Sequence, residues 1–172
     1  MRAGRLTLLP VIAIISLGGC AGSGAPEPAA ISCEQVIGLP EGTVVADTDV
    51  DELVPGVGFG PGEVARTHGL GRTVDIDGSD YRFAKMGLLV DPTADATLTV
   101  SARTGRALIG WGAAPAPALA FGGCADAHVD WLVFAGGIYV TEPTCVDITV
   151  ERETGERFDA PIGVGVDPAV CR

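Results

Sequence analysis

Aromatic side chains make up only 5% of this 172-residue chain, and Lys85 is its single lysine. The first scarcity leaves few platforms on which a base or a sugar could stack: Trp111, Trp131, Tyr81 and Tyr139. The second leaves 11 basic residues against 22 acidic ones, a net charge of −11. Such a surface repels nucleic acid, anionic headgroups and phosphate-rich polymers, so nucleic acid is excluded as a partner. Imidazole bases are limited to His68 and His128. No G-x-G-x-x-G opens a helix, no serine lies in G-x-S-x-G, and no cysteines are spaced C-x-x-C. Dinucleotide binding, serine hydrolysis and structural zinc therefore lack their usual material, and no cofactor is expected. After the leader, the long uncharged stretch is 107–125, and Pro115, Pro117 and four glycines break it as a membrane span.

What the chain has instead is 25 glycines, 12 prolines and 47% hydrophobic residues, mostly small. Short strands joined by tight turns suit that composition better than long helices. Strands are expected over 31–37, 43–46, 73–76, 81–90, 97–102, 106–111, 129–134, 138–141, 145–151 and 157–164. Turns are expected at Asp77-Gly78, Thr104-Gly105, Ala135-Gly136-Gly137 and Thr154-Gly155. Two strands alternate cleanly: Leu98, Val100 and Ala102 share one face, and Val146, Ile148 and Val150 another. The segment VPGVGFGPG, 54–62, carries too many breakers for regular structure to be expected. The reading is all-β: an antiparallel β-sandwich or small barrel with two disulfides.

The first twenty residues, MRAGRLTLLPVIAIISLGGC, carry a basic start at Arg2 and Arg5, an apolar run from Leu6 to Leu17, and two small residues before a cysteine. The ending Leu17-Gly18-Gly19-Cys20 resembles the lipobox of bacterial lipoproteins. The resemblance implies that 1–19 is a signal peptide and that Cys20 is the lipidated first residue. The protein would then sit at the outer face of the cytoplasmic membrane. Stable anchoring takes about two acyl chains, which one diacylglyceryl group supplies. AGSGAPEPAA then completes a tether over 20–30, and 31–172 forms one β-rich domain. Nine basic residues against 22 acidic ones remain after the leader, a charge of −13.

Removing Cys20 from five cysteines leaves an even four, Cys33, Cys124, Cys145 and Cys171, which in an exported chain argues for two disulfides. If 129–134 and 138–141 form a hairpin about Gly136-Gly137, Cys124 and Cys145 meet at its open end. That leaves Cys33 for Cys171.

Chemistry is thinner. The cluster Asp47, Asp49, Asp51, Glu52 resembles the opening of an EF-hand loop. It has Glu52 where the loop needs glycine and Gly58 where it needs a closing glutamate, so a solvated strand end is the better reading. Asp75, Asp77 and Asp80 are weak candidates for a looser cation site, and a plain hairpin turn explains them equally. Paired carboxylates could hydrolyse glycosides, but sugar sites also need aromatics. Of these, Trp111 is the ligand-binding candidate because it ends a strand between two glycines, whereas Trp131 and Tyr139 fall in segments that look buried. The uncharged 112–123 loop is the expected contact for a protein or glycan partner.

The segments CADAHVDWLVFAGGIYV, EPTCVDITV and PIGVG together resemble exported proteins of high-GC Gram-positive bacteria, a likeness that implies location and carries no activity. The function expected is a membrane-anchored, non-enzymatic binding module. The alternatives are a cell-wall or glycan-directed hydrolase and a calcium-dependent surface module.

Overall fold

The computed structural model describes residues 27–37, 52–60, 70–124 and 129–172. The leader, Cys20, the expected 43–46 strand, Asp47, Asp49, Asp51, His68 and His128 lie outside them. The described strands are β1 (Ala29–Ala30), β2 (Val36–Ile37), β3 (Glu52–Val54), β4 (Val57–Phe59), β5 (Thr73–Ile76), β6 (Ser79–Lys85), β7 (Leu88–Val90), β8 (Ala96–Ala102), β9 (Ala107–Trp111), β10 (Ala118–Phe121), β11 (Leu132–Phe134), β12 (Gly136–Val140), β13 (Thr144–Arg152) and β14 (Arg157–Val164). The fold is all-β, as its composition implies.

Three sheets form. Their orders are β1-β10-β8-β13-β14, β2-β11-β7-β4-β3 and β5-β6-β12-β9. Every pairing is antiparallel except the parallel β1–β10 pair. The second and third sheets run into each other, because β6 continues into β7 through Met86-Gly87 while its neighbour β11 continues into β12 through Ala135. The Met86 amide donates to the Gly136 carbonyl at 3.0 Å, so the two strands change sheet together and stay bonded through the bend.

One core joins the three sheets. The alternation read from sequence holds: Leu98, Val146, Ile148 and Val150 are buried, and Asp147, Thr149 and Glu151 point outward. Phe121 of the first sheet meets Phe134 of the second edge-on at 5.9 Å, and Phe59 of the second lies 5.8 Å from Trp111 of the third. Such aromatic pairs add roughly 0.5–1.5 kcal/mol each beyond their buried area.

Two expected turns hold as hairpins. Asp77 and Gly78 both take positive φ, 51° and 73°, as a two-residue β5–β6 turn requires. Thr154-Gly155 closes β13 on β14. Two others do not. At Thr104-Gly105 the chain passes from the first sheet to the third, so β8 and β9 are not ladder partners. At Gly136-Gly137 there is no turn: both glycines lie inside β12, and β11 belongs to a different sheet.

VPGVGFGPG contains structure that was not expected there. β3 and β4 form a hairpin about Pro55-Gly56, with Gly56 at φ 77°. Arg152 Nη1 donates to the Pro55 carbonyl at 2.9 Å and pins that turn. The expected tether also ends early, since Ala29 and Ala30 are already strand.

The disulfides join Cys33 to Cys124 and Cys145 to Cys171, correcting the expected Cys124–Cys145 and Cys33–Cys171 pairing. The physical reason lies in strand pairing. Without the Gly136-Gly137 hairpin, Cys124 and Cys145 are not brought to one end. Instead β1 runs parallel to β10, with Ala30 opposite Ala120, so Cys33 arrives beside Cys124. Cys145 pairs with Gly163 on β14, and the short 3₁₀ turn Pro168–Val170 folds back over that glycine, bringing Cys171 to it. Two such bonds belong to an oxidising, extracytoplasmic environment. Among the described residues no helix is long and apolar enough to cross a membrane.

Candidate functional site

The bend between the second and third sheets leaves an open groove of about 480 Å³, lined by Ser32, Gln35, Gly110, Gly112, Ala113, Ala135, Gly136 and Tyr139. That volume falls within the roughly 300–1,000 Å³ of small-ligand sites. Glycines let its parts approach closely: Gly136 and Gly110 sit on adjoining strands, a Cβ on Gly136 would lie 1.9 Å from the Gly110 carbonyl oxygen, and one on Gly110 would lie 3.3 Å from Tyr139 Cε2, so the Tyr139 ring packs against Gly110. One wall is the 31–35 segment, held by the Ser32 amide donating to the Gly112 carbonyl and tied down next door by the Cys33–Cys124 bond.

The opposite wall is Tyr139. It stands on the face of the third sheet turned away from the core, in one cross-strand row with Phe83 and Leu108, and its ring centroid lies 4.8 Å from that of Phe83. Desolvation by burial raises its phenol pKa above the ordinary 10.0, and the nearby Arg72 charge partly opposes the shift. Tyr139 is therefore a neutral hydrogen-bond donor at any physiological pH. Folded Tyr139 keeps its proton where the unfolded chain begins to lose it, so its stabilising contribution is intact below pH 10 and is lost as pH rises through the folded value. Ultraviolet titration of wild type against Tyr139→Phe checks this: the phenolate absorbance missing from the variant should have a midpoint above 10.

No protein-family model, curated protein or solved structure matches this chain.

Of the residues singled out in the sequence, Trp111 is not a ligand platform. It is fully buried, with its indole Nε1–H donating to the Met86 carbonyl at 2.7 Å, because β9 carries it under the bend. The 112–123 segment is a loop only in part: 118–121 is strand β10, paired on both sides, with Ala118, Leu119 and Phe121 in the interior, while Ala114, Pro117 and Gly122 are exposed. Only its first part, Gly112 and Ala113, reaches the groove. Asp75, Asp77 and Asp80 form the β5–β6 turn, where Asp75 Oδ1 accepts from the Gly78 amide at 3.3 Å. Among the described residues no group of three or more His, Cys, Asp or Glu could hold a metal ion.

Sequence reasoning missed Ser32, Gln35 and Tyr139. Tyr139 alternates with Ile138 and Val140, both buried, and that alternation was the available signal that its ring faces the other way.

Proposed function

We propose that this protein is an exported, lipid-anchored, non-enzymatic binding module at the outer face of the cytoplasmic membrane, with the Tyr139 groove as its ligand site. The observation that carries the reading is the lining itself. It offers hydrogen-bonding groups and an aromatic wall, and none of its eight residues is a carboxylate, imidazole or thiol. A glycoside hydrolase needs two carboxylates flanking its substrate, so the groove favours binding over hydrolysis. The calcium-dependent reading draws no support from Asp75 and Asp77, whose geometry is that of the turn.

Anchoring rests on Leu17-Gly18-Gly19-Cys20 and on the oxidising compartment that the disulfides require. Cys20→Ala should move the protein from the membrane fraction to the soluble fraction. A variant that still sediments with membranes would refute the lipid anchor.

The groove has its own test. Envelope extract added to the isotope-labelled protein should shift the amides of Gly110, Gly112, Ala113 and Gly136, and Ala135→Arg, which fills the groove from an exposed position, should abolish those shifts. Perturbations confined to another face would move the site elsewhere.

A further inference from the structure

Resting on that reading, we infer that the groove takes a neutral saccharide. The first ground is charge. A chain with 22 acidic residues builds this concavity from Ser32, Gln35, Tyr139 and small residues alone, with no charged side chain lining it. A bound cation would want a carboxylate there, and a bound anion would meet the field of the whole acidic surface, opposed near the groove by Arg72 beside Tyr139 and by no charge in the lining itself. A neutral ligand meets neither penalty.

The second ground is the kind of hydrogen bonding on offer. Gln35 supplies an amide that both donates and accepts, Tyr139 a protonated hydroxyl, and Ser32 a hydroxyl whose oxygen already accepts from the Glu34 amide and whose hydrogen is left to donate. Neither the Gln35 amide nor the Tyr139 hydroxyl bonds to a described residue. Sugar hydroxyls, each donor and acceptor at once, match such a mixed set. The half-buried Tyr139, braced by Phe83, offers the outer part of its ring as an aromatic surface for the C–H face of a pyranose.

The third ground separates a sugar from the main rival neutral ligand, an extended peptide. A peptide gains affinity chiefly by adding a strand to a free sheet edge. Beside the groove that edge is β9, and it is interrupted at its centre: Ile109 exchanges both backbone hydrogen bonds with Ala116 at 2.9 Å, and just past the strand the Gly112 carbonyl accepts from Ser32. A peptide finds no continuous ladder to join there, whereas a saccharide needs none.

Calorimetric titration tests this on the full lipidated chain in a detergent without a sugar headgroup. The probes are chitotetraose as a neutral oligosaccharide, tetragalacturonate as an acidic one, and tetra-alanine as a neutral peptide. Chitotetraose should bind with a dissociation constant on the order of 0.1–1 mM. Tyr139→Phe and Gln35→Ala should each weaken it by about three- to tenfold, the loss of one hydrogen bond, with melting temperatures close to wild type. Tetragalacturonate should bind at least about tenfold more weakly. Absence of heat with chitotetraose, an affinity unchanged in both variants, or equal binding of the acidic probe overturns the inference. Tight tetra-alanine binding lost on Ala135→Arg overturns it too, while leaving the groove as a binding site. If envelope extract also fails to shift the groove amides, the binding-module reading falls with it.

Discussion

Replacing Gly137 by alanine should cost about 3 kcal/mol or more and lower the melting temperature by roughly 6–12 °C, although the change adds one methyl group. A Cβ at this position would lie 2.0 Å from the Ala84 carbonyl oxygen and 2.8 Å from Phe83 Cε2. The first of these atoms is backbone on the paired strand β6 and cannot swing aside, so either β6 and β12 separate or the bend opens. Gly155→Ala is the control. It lies in a turn at φ 84° with nothing within 4 Å of the added atom, so it should lose only the roughly 1–2 kcal/mol of a left-handed backbone conformation. Thermal unfolding of the two variants separates close strand approach from conformational preference. Equal small losses would mean that the strands at the bend give way easily.

The second large effect concerns the disulfides. Removing Cys33–Cys124 by a double serine substitution should cost about 4–5 kcal/mol, and removing Cys145–Cys171 about 3–4 kcal/mol, because the first closes a loop across 91 positions and the second across 26. Non-reducing peptide mapping fixes the connectivity directly, and chemical denaturation of the two double variants gives the order. Peptides joined as Cys124–Cys145 would contradict the strand pairing of β1 with β10 as well as the bonds themselves. Loss of Cys33–Cys124 should also loosen the 31–35 wall of the groove, so this variant alone should broaden the amide signals of Gly112 and Ala113.

How much of this was legible beforehand varied with the range of the interaction. The all-β class, the alternation in β8 and β13, and the turns at Asp77-Gly78 and Thr154-Gly155 depend on neighbours in sequence, and each is readable from residue type and period. Sheet membership was not readable. A Gly-Gly pair between two apolar runs looks like a hairpin turn, yet Gly136 and Gly137 serve a close approach to strands whose partner residues are 25 or more positions away. From that single misreading followed the wrong cysteine partners, since pairing of distant cysteines depends on which strands lie side by side.

The same holds for the site. Trp111 between two glycines looks like an exposed ring, and only the bend at Met86-Gly87 shows that it is roofed over. Tyr139 looked buried by its company. The groove combines a segment near residue 33 with strands near 110 and 136, and no local pattern announces that they meet.

The place where Cys33 sits has a mechanical consequence. A chain tugged from its N-terminal side would first load the two-residue strand β1, whose few hydrogen bonds to β10 could peel away. Three residues later the pull reaches the covalent Cys33–Cys124 bond, beyond which force passes into the end of β10 and the body of the first sheet. The far end is clamped as well, through Cys171 onto β13 and through Arg172 to Glu52 at 3.2 Å. A domain held this way can lose the residues up to Ser32, one edge of the groove, to a steady load while Gln35, beyond the bond, and the strands of the groove stay in place. The bond thus acts as a strain relief between the N-terminal end of the chain and the body of the domain.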